Sequence, residues 1–105
     1  MFRDLMAVRE QIAAEFHERA VDINVMNGTR MTVKFVNSPF NAKSSEEKQQ
    51  HADAIGAFAV AHYKHPLTGV SVQYISKTGV AGVSAMSSET FIARLQSSDS
   101  ASATR

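Results

Sequence analysis

Three histidines, His51, His62 and His65, are the only clustered residues of catalytic type in this chain. At 100° per helical residue, His51 and His62 fall within roughly 20° of one another on a helix surface. The same spacing separates them by about 16 Å along the axis, too far to ligate one metal. His62 and His65 are closer, but Pro66 breaks the helix there and no acidic ligand lies nearby in sequence. His62, on the apolar arc, therefore reads as a hydrogen-bonded core or subunit-interface histidine. Serines between Ser84 and Ser102 are nominal nucleophiles, yet none stands in a G-x-S-x-G turn or beside an evident base. Gly79-Val80-Ala81-Gly82 imitates a phosphate loop but lacks the following Lys-Ser/Thr and helix. No pair of acids is spaced for acid–base work, and Asp22 and Asp53 are both expected on solvated faces. The reading is a chain with no catalytic residues, no metal site and no cofactor.

Composition narrows the classes further. The 105 residues suit one domain and one core. Hydrophobic residues make up 44% and charged residues 20%, as in an ordinary soluble domain. A formal net charge of +1 gives no electrostatic footprint for nucleic acid. With no cysteine, disulfides, thiolate catalysis and cysteine-held metals are excluded. No stretch approaches the ~18 apolar residues of a membrane span. The start, MFRDLMAVRE, has no signal-peptide core, which fits a cytoplasmic protein or a mature domain whose export signal has been removed.

The elements that must position any site are clearest between Val21 and Asn41. Val21, Ile23 and Val25 alternate with polar residues, as do Met31, Val33 and Phe35. Alternation of this kind marks strands with one apolar face. Asn27-Gly28 between them signals a hairpin. A two-residue loop would set the apolar faces on opposite sides. A three-residue loop, Met26-Asn27-Gly28, pairs Val25 with Thr29, Ile23 with Met31 and Val21 with Val33, and the faces agree. The expected turn is type I with Gly28 left-handed in a bulge. The Asn27-Gly28-Thr29 triplet also fits the N-glycosylation pattern, but the turn explains it.

Upstream, Asp4 to about Ala20 reads as a helix capped by Asp4, with Leu5, Val8, Ile12 and Phe16 as its buried stripe and His17 at the boundary. Downstream, Asn37-Ser38-Pro39 ends the second strand, and Phe40 should fold over the end of the core. Ser44 to Lys64 is the second helix, opened by a Ser44–Glu47 capping box. Ala52, Ile55, Phe58, Ala59 and Tyr63 point inward. Val70, Val72 and Tyr74 give a third strand, Lys77-Thr78-Gly79 a turn, and Val80 to Met86 a fourth strand. Ser87 to Leu95 is ambiguous and leans extended. Ile12, Phe16, Ile23, Val33, Phe35 and Ile55 are the expected core.

The fold class is therefore α+β: a two-layer sandwich in the order α-β-β-α-β-β, its sheet mainly antiparallel, both helices on one face. Residues 1–95 form a single globular domain and 96–105 a disordered Ser-rich tail. This order resembles the small bacterial BON domains of envelope proteins in topology, with Val21 to Val36 in the place of their valine-rich hairpin. That resemblance implies lipid binding. The Asn37–Asn41 loop departs from the pattern.

Three functions stay open: a small non-catalytic interaction module, compatible with one domain of an exported or envelope protein; a small-ligand or lipid-headgroup binding domain; and an enzyme of unrecognised type. The first leads. Its expected working surface is the open sheet face, carrying Asn24, Arg30, Thr32, Lys34, Ser71 and Gln73. Two cations among neutral hydrogen-bonding groups suit a protein partner or an anionic small ligand. A homodimer is compatible with the same pattern.

Overall fold

The computed structural model describes the backbone of residues 2–80 and 83–95. The expected Ser-rich tail, 96–105, lies outside the described residues. The chain runs α1 (Phe2–Glu15), β1 (Val21–Met26), β2 (Arg30–Val36), a short 3-10 turn (Pro39–Ala42), α2 (Ser45–His62), β3 (Gly69–Val80) and β4 (Val83–Ile92). Two helices and one four-stranded mixed sheet make this an α+β fold in the expected order. The strands lie in the order β1-β2-β3-β4. β1–β2 and β3–β4 are antiparallel hairpins, whereas the central β2–β3 pair is parallel. A helix between β2 and β3 returns the chain to the starting end of the sheet, which is what a parallel neighbour requires.

The first hairpin corrects the expected register by two residues. Val21 lies opposite Phe35, Ile23 opposite Val33 and Val25 opposite Met31. Because the slip is even, the apolar faces still agree. The Thr29 amide donates to the Met26 carbonyl at 3.2 Å, and both Asn27 (φ 54) and Gly28 (φ 74) are left-handed. Two positive φ values mark a primed hairpin turn, whose twist matches the strands better than the type I turn expected. Met26 lies opposite Arg30, so Thr29 is the extra residue that keeps the faces aligned.

α1 stops at Glu15, short of Ala20, and begins before Asp4, so Asp4 is not its cap. His17 takes a left-handed φ of 56. The Glu18 amide then reaches back to the Ala13 carbonyl at 3.0 Å, the bond of a Schellman stop. β3 runs straight through Lys77-Thr78-Gly79, where a turn was expected. The hairpin closes later, between Val80 and Val83, so β4 covers Val83–Ile92 and includes most of the ambiguous segment. The β-branched and aromatic Thr90-Phe91-Ile92 prevail there over the helical spacing of Phe91 and Leu95.

One buried cluster unites Val8 and Ile12 of α1, Ala52, Ile55 and Ala59 of α2, and alternate residues of β1, β2 and β3. Met31, Val33 and Phe35 stand opposite Val70, Val72 and Tyr74 across the parallel pair, so one face of three strands is continuous. Ile12, Val33, Phe35 and Ile55 are fully buried and Ile23 nearly so. Phe16 and Phe58, expected deep inside, are only half-buried. They pack edge to face at 5.6 Å beside the core. α2 carries the expected capping box, with Ser44 and Glu47 bonded reciprocally.

Candidate functional site

The six residues expected to form a working surface share one face of the sheet. Across the strands, Asn24, Thr32 and Ser71 form one row of Cα partners. The adjacent row is Asp22, Lys34, Gln73 and Thr90. Arg30 lies one row further, opposite Met26 and Gly69. Asn24 and Arg30 are exposed; Thr32, Lys34 and Gln73 are half-buried by their neighbours. Among the described residues, neither Arg30 nor Lys34 makes an ion pair. Apolar side chains border the polar rows: Met26 is 57% and Ile92 69% exposed. Where β2 and β3 begin, Arg30, Thr32, Ser71, Met26 and Ile92 all line a 360 Å³ cleft.

A second polar group lies inside the core, joining residues that no local pattern connects. His51 on α2 is buried, with Nδ1 2.6 Å from the Tyr74 hydroxyl of β3. That hydroxyl also lies 3.2 Å from the Lys48 carbonyl. The assignment that satisfies most groups has Tyr74 donating to Lys48 and accepting from the His51 Nδ1–H. His51 Nε2 is then a bare acceptor without a partner. Phe40 stacks on the imidazole with centroids 3.7 Å apart, and Phe16 meets it edge-on. Phe40 thus closes the end of the core as expected. Burial lowers the His51 pKa to about 4, so the ring is neutral at physiological pH. Burial, reinforced by the Glu18 charge, raises that of Tyr74.

Glu18 is a further buried polar residue at this end. Ser38 donates to its carboxylate at 2.7 Å, and the same Ser38 oxygen accepts the Phe40 amide at 3.0 Å. Burial raises the Glu18 pKa, opposed by the Ser38 hydrogen bond. Asn37 (φ 53) and Asn41 fasten the loop to β3. The Asn37 side chain accepts the Lys77 amide, and Asn41 donates to the Ile75 carbonyl. The Asn37–Asn41 segment is therefore a lock between the hairpins. Lys48, itself buried, pairs with Glu89 on β4. A 180 Å³ cleft bounded by Lys48, Glu89, Asn41 and Tyr74 adjoins this group, and His51 does not line it.

The remaining histidines part company. His62 is exposed rather than in the core; it stacks on Phe58 at 3.9 Å and bonds the Phe58 carbonyl. It shares the helical face of the buried His51, but as the last residue of α2 it is left exposed. His65 bonds Asp4 of α1 at 2.9 Å. Asp53, expected in solvent, is half-buried and held by Arg94 at 2.6 Å and by Gln49. Its pKa is lowered: the hydrogen bonds and charge of Arg94 outweigh the upward push of burial. Among the described residues, no three acids or histidines are grouped to hold a metal. No described helix is long and apolar enough to cross a membrane.

The fold and the two polar groups define an α+β domain with one internal polar knot and one exposed, mixed-polarity sheet face. No family model, curated protein or solved structure matches the chain.

Proposed function

We propose that the chain is a small non-catalytic binding module whose working surface is the sheet face opposite the two helices. The observation that carries this reading is the register. It sets Asn24, Thr32 and Ser71 beside Lys34 and Gln73 in adjacent rows, with Arg30 at the end of the same face. The uncommitted cations and the neutral donors suit a partner that presents carboxylate or phosphate groups. Met26 and Ile92 add exposed apolar contact at the border. The internal knot reads as support. His51 is neutral, enclosed by Phe16, Phe35 and Phe40, and tied to Tyr74. It positions α2 over β3 and keeps the opposite face rigid.

The test is a double charge reversal, Arg30→Glu with Lys34→Glu, assayed against phosphatidylserine vesicles and poly-glutamate. The parent should bind one or both modestly, and binding should weaken as salt shortens the Debye length to about 8 Å at physiological ionic strength. The variant should fold normally and lose that binding. Parent and variant behaving alike toward both probes would remove the face from consideration.

A further inference from the structure

The geometry points to a second copy of this chain as the partner of the β4 edge, joined antiparallel about a two-fold axis at Ser88. This inference rests on strand edges and is independent of the open-face reading. Both β1 and β4 are edge strands. They are treated very differently. On β1, the outward Ile23 amide is taken by the Asp22 side chain at 3.0 Å, and the outward Val21 carbonyl by Arg9 at 3.4 Å. Those two bonds block the addition of a strand. β1 is also only six residues long.

Among the described residues, β4 has no such guard over most of its length. Its ladder with β3 is unbroken from Ile92 opposite Ser71 to Val83 opposite Val80. In an antiparallel pair, residues alternate between bonding the neighbour and facing away. The Ala93 amide bonds the Val70 carbonyl, so the odd-numbered residues face β3. Ser84, Met86, Ser88, Thr90 and Ile92 therefore turn their backbone groups outward. The Gln49 side chain bonds the Ile92 carbonyl, as this parity requires, and satisfies one end. Natural edges are protected by lysine, proline, bulges or short length. The ten residues VSAMSSETFI contain no lysine or proline, and their one charge, Glu89, is paired with Lys48.

A second copy fits this edge on three grounds. An edge with almost no charge is complementary to itself. Centring on Ser88 sets Met86 of one copy beside Thr90 of the other, and Glu89 beside Ser87, so that no like charges stand opposed. Met86 is 69% exposed and would gain apolar cover. The helical layer also opens on this side. A 640 Å³ groove lined by Ala54, Ala57, Val60, Ala61 and Leu95 borders the segment just after β4. A strand edge about 33 Å long with one helical layer above it offers roughly 500 Å² per copy, or about 1,000 Å² in all, the size of a weak, reversible interface. Pairing would extend the sheet to twice its strands and place two open faces side by side.

Sedimentation equilibrium of the full chain, from low micromolar to submillimolar, tests this together with amide hydrogen exchange. The expected result is a species of twice the chain mass in which the Met86, Ser88 and Thr90 amides exchange slowly, and faster on dilution. Ser88→Pro removes an outward donor without touching the β3 ladder, and Thr90→Lys adds the missing edge charge. Each should weaken self-association at least tenfold while leaving the circular dichroism unchanged. A parent that stays monomeric over the whole range would overturn the inference. So would a dimer whose Met86, Ser88 and Thr90 amides exchange freely and which neither variant weakens.

Discussion

His51 and Tyr74 meet inside the core, the imidazole Nδ1 2.6 Å from the phenol oxygen, and their bond ties the middle of α2 to the middle of β3. The same hydroxyl reaches the Lys48 carbonyl one turn earlier on α2. One phenol thus satisfies two buried groups of the helix that packs over the sheet.

Tyr74→Phe should therefore destabilise the fold by about 1–3 kcal/mol. The ring still fills its place, but the buried His51 Nδ1–H loses its acceptor, while the Lys48 carbonyl keeps its helical bond. Urea denaturation gives the measure. An unchanged midpoint would show that water or a rearranged side chain replaces the hydroxyl.

The same pair predicts a pH dependence. The unfolded histidine takes a proton near 6.5, the buried one near 4. Between these values the unfolded state binds more protons, so stability rises with pH across the window. The contribution is complete above about 6.5 and is lost as pH falls toward 4. The shift corresponds to about 3 kcal/mol at most. Glu18 acts in the opposite sense: its raised pKa adds stability at low pH that is lost as pH rises through the carboxylate range. The urea midpoint of the parent should fall between pH 7 and pH 4.5, and His51→Phe should flatten that slope. Equal slopes would mean that His51 is protonated within the fold.

Gly56 marks the closest approach of α2 to the end of β4. A Cβ built there would lie 2.5 Å from Ala93 Cβ and 3.0 Å from Leu95 Cδ2. Gly56→Ala should cost about 1–3 kcal/mol through overpacking, although alanine favours helix by about 1 kcal/mol. A rise in melting temperature would show that the segment after β4 yields freely.

Gly28 tests the first turn. A side chain there would meet nothing within 4 Å, so only its φ of +74 opposes substitution. Gly28→Val should destabilise by about 1–3 kcal/mol, by backbone strain alone. A denaturation midpoint equal to the parent's would show that the turn can change type without loss.

Much of this fold was legible in sequence because apolar alternation carries it. Val21 to Phe35 and Val70 to Tyr74 showed which side of each strand is buried, and Ser44–Glu47 marked the start of α2. The register slipped by two because two three-residue loops keep the same faces, and only the left-handed Asn27 distinguishes them. The parallel centre was missed because alternation says nothing of a neighbour's direction. The Lys77-Thr78-Gly79 turn was misplaced because glycine also occurs within strands. At the candidate site, alternation was enough to group Asn24, Arg30, Thr32, Lys34 and Gln73 on one face. The His51–Tyr74 bond joins residues far apart in sequence, and no local pattern announces it. The one available signal was Tyr74 on the buried side of β3, since a buried phenol needs a partner.

The most direct test of the open face as the working surface is an amide chemical-shift map of the labelled protein titrated with poly-glutamate or with phosphatidylserine nanodiscs. The account predicts progressive shifts at Asn24, Arg30, Thr32, Lys34 and Gln73, reversed by added salt, with α1 and α2 unmoved. Shifts confined to the outer surface of α2, or none with either probe, would contradict it.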